Sequence, residues 1–329
     1  MVKHNFLITG ITGQDGIFLT KKIFNEYKNA KIVGLTRNKN SNQFNKKLKS
    51  IDTNLNLDNL NLYQIDLLDY EEVNKVLQKV EPSYIVNLSG PSSVYESLNN
   101  PIKFKKEIYT IFDNLTDACI KNKIFPSFFQ PGSSEMFSSK AKNPLNENSI
   151  FLPRSPYSKA KLRNFNKTKM LREKYDWNIK SGILFNHESE FRSELFLVKK
   201  VIVQALKIKY QKEKVLKIGS LNYKRDWSYA EDIANAIYLM IMSNNSNDYV
   251  IGSGKSYTVK YLIEYVFEYV GLDSKNLIEV DSNLLRKSDP EVITSDPKKI
   301  IENLGWKSNT SFEKMLEKMI NYETKLNKY

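Results

Sequence analysis

Short apolar runs alternate with helically spaced apolar positions through the first half of the chain. Runs of the strand kind fall at residues 5–9, 31–36, 61–66, 84–89, 127–132 and 179–185. Between them, apolar residues recur every three or four positions over 17–27, 70–79, 102–121 and 158–174, the spacing that gives a helix one buried face. Parallel strands need crossover connections, so this alternation predicts an α/β fold: a Rossmann-type doubly wound parallel sheet of six strands with helices on both faces.

Beyond residue 185 the rhythm becomes irregular. Helices are expected at 194–209, 230–242, 259–270, 297–304 and 312–322, with short strands at 215–218 and 249–251. A smaller, interleaved C-terminal substrate lobe accounts for the change. The expected division assigns 1–185 to a dinucleotide-binding domain, with 221–254 returning to it, and 186–220 plus 255–329 to the second lobe. The most polar stretch, 38–50, reads as an extended surface loop.

Composition narrows the class. With 329 residues, 41% hydrophobic and 12% aromatic, the chain can bury a large core and lies far from the disordered regime. The single cysteine, Cys119, shares an apolar helical face with Ile111, Leu115 and Ala118 and reads as a buried structural thiol. Two histidines, His4 and His187, without a cysteine or histidine cluster leave no metal site to expect. No segment approaches the roughly 20 apolar residues of a membrane span. Residues 1–9 run straight into a strand without a signal-peptide pattern, so a cytoplasmic protein with no membrane partner is expected. The net charge of +13 invites a nucleic-acid reading, but the basic residues are spread along the chain rather than gathered in one patch. No nucleic-acid partner is expected; the positive field suits anionic nucleotides instead.

The turn after the first strand reads Thr9-Gly10-Ile11-Thr12-Gly13-Gln14-Asp15-Gly16. Gly10 permits a tight turn, Gly13 lets backbone approach a pyrophosphate, and Gly16 allows close helix–strand packing, while the helix N-terminus offers N–H groups to the anion. Gly10, Thr12, Gly13, Gln14, Asp15 and Gly16 are therefore candidate cofactor contacts. The second strand ends at Thr36-Arg37, without the carboxylate that holds an NAD ribose. Arg37 offers a bidentate cation to a 2′-phosphate, so NADP is the expected cofactor; the bland alternative is a solvated surface arginine. Asp66 and Leu67, past the third strand, meet an adenine or cap a helix.

Tyr157 and Lys161 stand one helical turn apart. An ammonium beside a phenol, together with an oxidised nicotinamide, stabilises phenolate and makes Tyr157 a usable base. Lys159 points elsewhere and should be solvated. The fifth strand ends in Gly132-Ser133-Ser134-Glu135. Ser133 can hydrogen-bond a hydroxyl undergoing oxidation, and Glu135 supplies a second acid–base group that plain oxidation does not need.

Taken with Arg154-Ser155-Pro156-Tyr157, the run from Ile183 through Phe185-Asn186-His187-Glu188-Ser189, Arg225-Asp226-Trp227, Asp296-Pro297-Lys298 and Leu304-Gly305-Trp306, these motifs resemble the GDP-mannose 4,6-dehydratase family. That family lies within the extended short-chain dehydrogenase/reductases, and the resemblance spans residues 6–319. It implies a GDP-sugar substrate and C4 oxidation by Tyr157 with Ser133. Removal of the C5 proton and loss of the C6 hydroxyl through Glu135 follow, and then reduction at C6. It makes the first domain NADP-binding and the second lobe nucleotide-sugar-binding.

It further implies that Lys161, His187, Arg192, Leu88, Ser89 and Ser92 contact cofactor. Ser92, Ser134, Asn186, Lys199, Arg225 and Arg286 would contact substrate, and Trp227 would border the nucleotide or serve the core. A homo-oligomer, dimer or tetramer, is implied, with residues 37–49 matching an arm that reaches a neighbouring subunit in the family. Three features depart from the pattern: the loop Leu88-Ser89-Gly90-Pro91-Ser92-Ser93-Val94, Ser133 in place of threonine, and the run from Leu285 to Pro290. They keep a GDP-manno-heptose substrate open beside mannose. A GDP-4-keto-6-deoxysugar reductase or C4 dehydrogenase remains the alternative chemistry.

Overall fold

The computed structural model describes residues 4–37, 41–284 and 290–326. Its first part runs β1 (Asn5–Thr9), α1 (Gln14–Glu26), β2 (Lys31–Thr36), α2 (Ser41–Ile51), β3 (Leu60–Gln64), α3 (Tyr70–Val80) and β4 (Tyr84–Asn87). There follow α4 (Val94–Asn99), α5 (Pro101–Lys121), β5 (Ser127–Ser133), α6 (Pro156–Tyr175), β6 (Ile179–Leu184), β7 (Asn186–Glu188), α7 (Leu197–Lys209) and β8 (Leu216–Ile218). The remainder is β9 (Lys224–Arg225), β10 (Trp227–Tyr229), α8 (Ala230–Met242), β11 (Tyr249–Ile251), β12 (Tyr257–Thr258) and α9 (Val259–Tyr269). It closes with β13 (Ile278–Val280), β14 (Val292–Ile293), α10 (Lys298–Leu304) and α11 (Phe312–Leu326).

Seven strands, all parallel, form the central sheet in the order β11-β6-β5-β4-β1-β2-β3. Strands covered on both faces read as continuous apolar runs, and Phe6, Leu7 and Ile8 of β1 are accordingly sealed from solvent. The chain leaves β1 toward β2 and β3, then returns to place β4 on the other side. The strand order therefore reverses between β1 and β4, where the crevice beyond the carboxyl ends takes ligand in such sheets. A buried polar chain ties those ends together: Thr9 Oγ1 donates to Asn87 Oδ1 at 2.6 Å, and Asn87 Nδ2 donates to Gln130 Oε1 at 2.8 Å.

Two expectations are corrected here. The sheet has a seventh strand, β11, whose Tyr249, Val250 and Ile251 pair with Gly182, Ile183 and Leu184 of β6. Three residues carry too little pattern to reveal a sheet edge from sequence. The polar stretch after β2 is not a loop from 41 onward but helix α2, because Phe44 and Leu48, four apart, bury one face in the core. Its many asparagines and lysines masked that pair.

The C-terminal elements pack as small sheets and helices. In them β7 pairs with β10, β9 lies between β12 and β14, and β13 pairs with β8. Helices α9 and α11 are held in register by a ladder: Tyr261, Tyr265 and Tyr269 bond Glu313, Glu317 and Asn321 at 2.9, 3.1 and 3.4 Å. Trp227 stacks on Phe312 with ring centroids 5.3 Å apart, so its place is the core. The neighbouring Asp226 is a buried pin that accepts from the backbone N–H and hydroxyl of both Ser253 and Ser295. Among the described residues no helix is long and apolar enough to cross a membrane.

Candidate active site

The glycine turn sits at the crevice. Gly10 has φ +63°, and a Cβ there would lie 2.7 Å from the Leu88 carbonyl, so only glycine lets β1 and β4 approach this closely. A Cβ at Gly16 would fall 2.3 Å from the Ile11 carbonyl oxygen. Helix α1 starts directly after Gly13, which is exposed, and no side chain caps it. The turn thus presents backbone N–H groups and a helix dipole without a competing acceptor. Thr12 is half-buried beside it. Leu88 and Ser89 flank the same crevice, with the Ser89 N–H donating to Thr9 Oγ1 at 3.1 Å.

Gln14 and Asp15 have partners across the crevice. Gln14 Nε2 donates to the His187 carbonyl at 3.0 Å, and its Oε1 accepts from Ser189 Oγ at 2.9 Å. The His187 ring lies between two acceptors: Nδ1 is 2.7 Å from the Phe185 carbonyl and Nε2 is 3.1 Å from Asp15 Oδ2. Only an imidazolium donates at both nitrogens. Burial opposes the charge on His187, but Asp15 outweighs it and raises the pKa above the ordinary value. Burial likewise opposes the Asp15 carboxylate, yet His187, Arg192 and Lys161 hold its pKa below the ordinary value.

The pair has a defined pH window. The His187 contribution is complete below its unfolded pKa of about 6.5 and is lost as pH rises through the higher folded value. The Asp15 contribution is present above an unfolded value of about 3.9 and is lost as pH falls through the lower folded one. We expect Asp15→Asn to move the His187 titration to lower pH, read by NMR from the imidazole signals of a chain with only two histidines. An unchanged titration would break the pairing argument.

The other half of the site hangs on the start of α6. Ser155 caps it: Ser155 Oγ accepts from the Ser158 N–H at 3.0 Å, and Ser158 Oγ accepts from the Ser155 N–H at 2.9 Å, with Pro156 in the first turn. This reciprocal cap sets Tyr157 and Lys161 on the buried face, both 8% exposed, and leaves Lys159 in solvent. Lys161 Nζ lies 5.6 Å from the Tyr157 ring centroid and donates to the Pro131 carbonyl of β5 at 3.2 Å. At the end of β5, Ser133 Oγ accepts from the Glu135 N–H at 3.2 Å and turns the chain into a 3₁₀ turn at Ser134–Met136.

Burial pushes the Tyr157 phenol up to about 12; Glu135 and Asp15 add to the rise, while a hydrogen bond with Ser133 and the Arg192 charge oppose it. Burial also pushes Lys161 down to about 8, against the pull of Asp15. In the chain alone, burial of Tyr157 outweighs the Ser133 hydrogen bond and the Arg192 charge; the expected lowering invokes an oxidised nicotinamide as well as Lys161. Glu135 is a fifth exposed, lies 3.8 Å from Arg154 Nη2, and its charge bears on Tyr157.

The other expected contacts divide. Arg192 lies near Tyr157, with its guanidinium 3.4 Å over the Phe196 ring and Nε 3.3 Å from Glu188 Oε2. Asn186 is exposed, Ser92 is exposed and Ser134 is buried. Arg225 is buried in β9 and donates to the Lys224 and Glu291 carbonyls at 2.9 and 3.4 Å. Arg37 is 73% exposed at the end of β2 and pairs with Glu107 at 3.1 Å.

One expected contact finds a structural partner instead, and another has a local bond. Lys199 is sealed in an ion pair with Glu323 and also bonds the Glu190 carbonyl, so it does not reach the cleft. Asp66 turns its carboxylate onto the Leu68 N–H at 3.0 Å, ahead of the α3 cap formed by Asp69, while Leu67 is buried beside it. Arg286 lies outside the described residues. Sequence reasoning missed the Asp15–His187 bond and the contact of Arg154 with Glu135; both join segments distant in sequence, which no local pattern reveals.

A glycine-turn parallel sheet with serine, tyrosine and lysine gathered beyond β5 defines an extended short-chain dehydrogenase/reductase. The sequence pattern of GDP-mannose 4,6 dehydratase matches residues 7–319. The chain is 34% identical over 329 residues to "GDP-mannose 4,6 dehydratase 1" of Arabidopsis thaliana, covering 98% of this chain and 90% of that one. It is 28% identical to the GDP-mannose 4,6-dehydratase of Vibrio cholerae, covering 99% and 95%. The chain belongs to the GDP-mannose 4,6-dehydratase family. The same fold occurs in the UDP-glucose 4-epimerase of Thermotoga maritima, at TM-score 0.84 and 22% identity, covering 98% of this chain and 99% of that one. It occurs too in a dTDP-glucose 4,6-dehydratase of Bacillus anthracis, solved in complex with NAD, at TM-score 0.83 and 20% identity, covering 98% and 96%.

Proposed function

We propose that this chain is a GDP-sugar 4,6-dehydratase that converts GDP-mannose to GDP-4-keto-6-deoxymannose with NADP as resident cofactor. The observation that carries the reading is the separate carboxylate: Glu135 follows Ser133 in the turn after β5, its N–H on Ser133 Oγ and its carboxylate 3.8 Å from Arg154. A plain redox enzyme needs no such group, whereas elimination across C5 and C6 does.

The residues present fit a dinucleotide. The uncapped α1 terminus and the glycine turn suit its pyrophosphate, and the buried Asp15 Oδ1, which lacks a hydrogen-bond partner, marks a polar site close to Lys161. Gly10, Thr12, Gly13 and Gly16 would hold the phosphates, Leu88, Ser89, Lys161, His187 and Arg192 the nicotinamide half, and Arg37 a 2′-phosphate. A nicotinamide held there would supply the hydride acceptor and donor for C4 and C6, and, when oxidised, a positive charge.

Tyr157 then removes the 4-hydroxyl proton, oriented by Ser133. The resulting ketone acidifies C5–H, which Glu135 takes. Glu135 returns that proton to the C6 hydroxyl, which leaves as water. The proton that Tyr157 took from the 4-hydroxyl passes by way of Glu135 to C5 when C6 is reduced, which returns Tyr157 to phenolate and Glu135 to carboxylate.

The nucleotide diphosphate would lie toward Asn186 and Arg225, with the lobes divided at 1–185 plus 221–254 and 186–220 plus 255–329. In support, β11 joins the central sheet and α8 packs on α1, with Lys21 and Glu231 paired at 2.7 Å. A cytoplasmic homo-oligomer belongs to the same reading. Tyr95, Leu98 and Ile102, exposed by 63%, 51% and 81% along α4 and α5, support it. The 37–49 segment offers weaker support, since α2 docks on its own chain. The loop at Leu88–Val94, which lacks the family's usual methionine and histidine, favours GDP-manno-heptose as a second substrate reading.

Purified protein incubated with GDP-mannose or GDP-heptose and a trace of NADP⁺ should release water from one of them, read as mass loss, without consuming cofactor. Stoichiometric cofactor consumption would reassign the chain as a reductase or C4 dehydrogenase. Arg37→Ala should weaken NADP binding about tenfold while leaving NAD within about twofold, the scale of one exposed charge-assisted contact. Equal losses for both would remove the 2′-phosphate role.

A further inference from the structure

Arg154 has no role among the expected contacts, yet it is the basic group that meets Glu135, with Nη2 3.8 Å from Oε2 and the two side chains 18% and 20% exposed. Its position is not accidental to the fold. It directly precedes Ser155, whose reciprocal cap fixes the start of α6, so one local device sets Arg154, Tyr157 and Lys161 together. On the other side, the bond from the Glu135 N–H to Ser133 Oγ fixes the backbone that carries the carboxylate.

The electrostatic need is specific. Proton removal by Tyr157 requires a phenolate, and removal of C5–H requires a carboxylate, so two anions face one cleft before the first bond changes. Their charges oppose each other. Arg192, Asp15 and Glu135 bear on Tyr157, Lys161 lies over its ring, and Arg154 meets Glu135. Arg192 leans on Glu188 and Lys161 on the Pro131 carbonyl, whereas Arg154 meets Glu135 directly.

We propose that Arg154 is a positioning residue for Glu135: its guanidinium keeps the carboxylate ionised and in one orientation beside Tyr157. The inference rests on the dehydratase reading for its catalytic consequence but not for the pairing itself. In the proton cycle, Glu135 starts as carboxylate, gains the C5 proton as the C5–H bond breaks, and gives the same proton to the C6 oxygen as the C6–O bond breaks. Arg154 acts at both ends of that cycle. It ensures that the base is ionised at the start, and it favours return to carboxylate when water leaves.

The test uses the full chain, with Arg154→Met and Arg154→Lys compared after thermal melts. In substrate-free protein carrying ¹³C-labelled glutamate, the Glu135 carboxyl should titrate about one pH unit higher in Arg154→Met than in the wild type and return most of the way in Arg154→Lys. In turnover of GDP-mannose, Arg154→Met should lower kcat about 30- to 100-fold at neutral pH. It should change KM less than threefold and move the acid limb of the kcat profile upward by the same unit. Arg154→Lys should recover to within about fivefold. An unmoved Glu135 titration overturns the pairing. A loss confined to KM, or one that Arg154→Lys does not repair, overturns the positioning role. A wild type that leaves GDP-mannose intact while the titration shifts as expected counts against the dehydratase reading and not against the pairing.

Discussion

Glu135→Gln should leave a protein that oxidises its substrate and then stops. C4 oxidation draws on Tyr157 and Ser133, which this substitution does not touch. The amide cannot take the C5 proton or protonate the departing hydroxyl. Near-ultraviolet absorbance of reduced nicotinamide should therefore build to about one equivalent per site, and overall turnover should fall by about 10³-fold, within the span of a lost general base. Deuterium uptake from solvent at C5 should disappear with it. Tyr157→Phe should give the complementary result: a turnover loss of at least the same order, with no reduced cofactor formed at any stage. The Ser133 hydrogen bond and the burial of Tyr157 make this a substitution of chemistry rather than of packing, since phenylalanine fills the same space. Full turnover in either variant would remove the role given to that residue. Accumulation of reduced cofactor by Tyr157→Phe would reassign the first proton transfer.

Much of this arrangement could be read from the chain. Strands β1 and β2 and helix α8 have the bounds that periodicity predicts, because each is a dense apolar run with clear flanking turns. The glycine turn was legible for the same reason: Gly10 and Gly16 occupy positions where a Cβ would strike backbone. The failures are also physical. α2 buries only Phe44 and Leu48 from a strongly polar sequence, below the pattern that signals a helix. β11 has the bounds expected of a short strand, but its place as a seventh strand beside β6 is a tertiary fact.

In the site, residue types and spacing brought out Ser133, Glu135, Tyr157 and Lys161. Ionisation did not follow from spacing, since the cost of dehydrating Tyr157 and Lys161 depends on how the surrounding elements close over them. Lys199 shows the same limit from the other side. As a lone lysine in a helical run it could serve a phosphate or a core, and only the approach of Glu323 on α11 decides for the core.

The largest stability effect belongs to Lys180, a fully buried lysine near the start of β6. Its ammonium reaches the carboxyl end of α8, donating to the Met240 and Ser243 carbonyls and to the hydroxyls of Ser127 and Ser243. A cation there answers the unpaired carbonyls and negative dipole of a helix terminus. No carboxylate joins these contacts, and burial, with Arg172 nearby, pushes the Lys180 pKa down to about 7. The sign follows: from about pH 7 to the unfolded value near 10.4 the unfolded chain holds more protons than the folded one, so stability rises with pH across that window. Lys180→Ala leaves a cavity and strips the α8 terminus of its donor, and should cost about 3–5 kcal/mol in urea unfolding at neutral pH. Lys180→Met keeps the volume and removes the titration. It should recover part of that loss and, unlike the wild type, show no gain attributable to this site between pH 7 and 9.5. A Lys180→Ala variant within about 1 kcal/mol of wild type would show that α8 ends without needing this donor, and a Lys180→Met variant with an undiminished rise with pH would show that the rise does not come from Lys180.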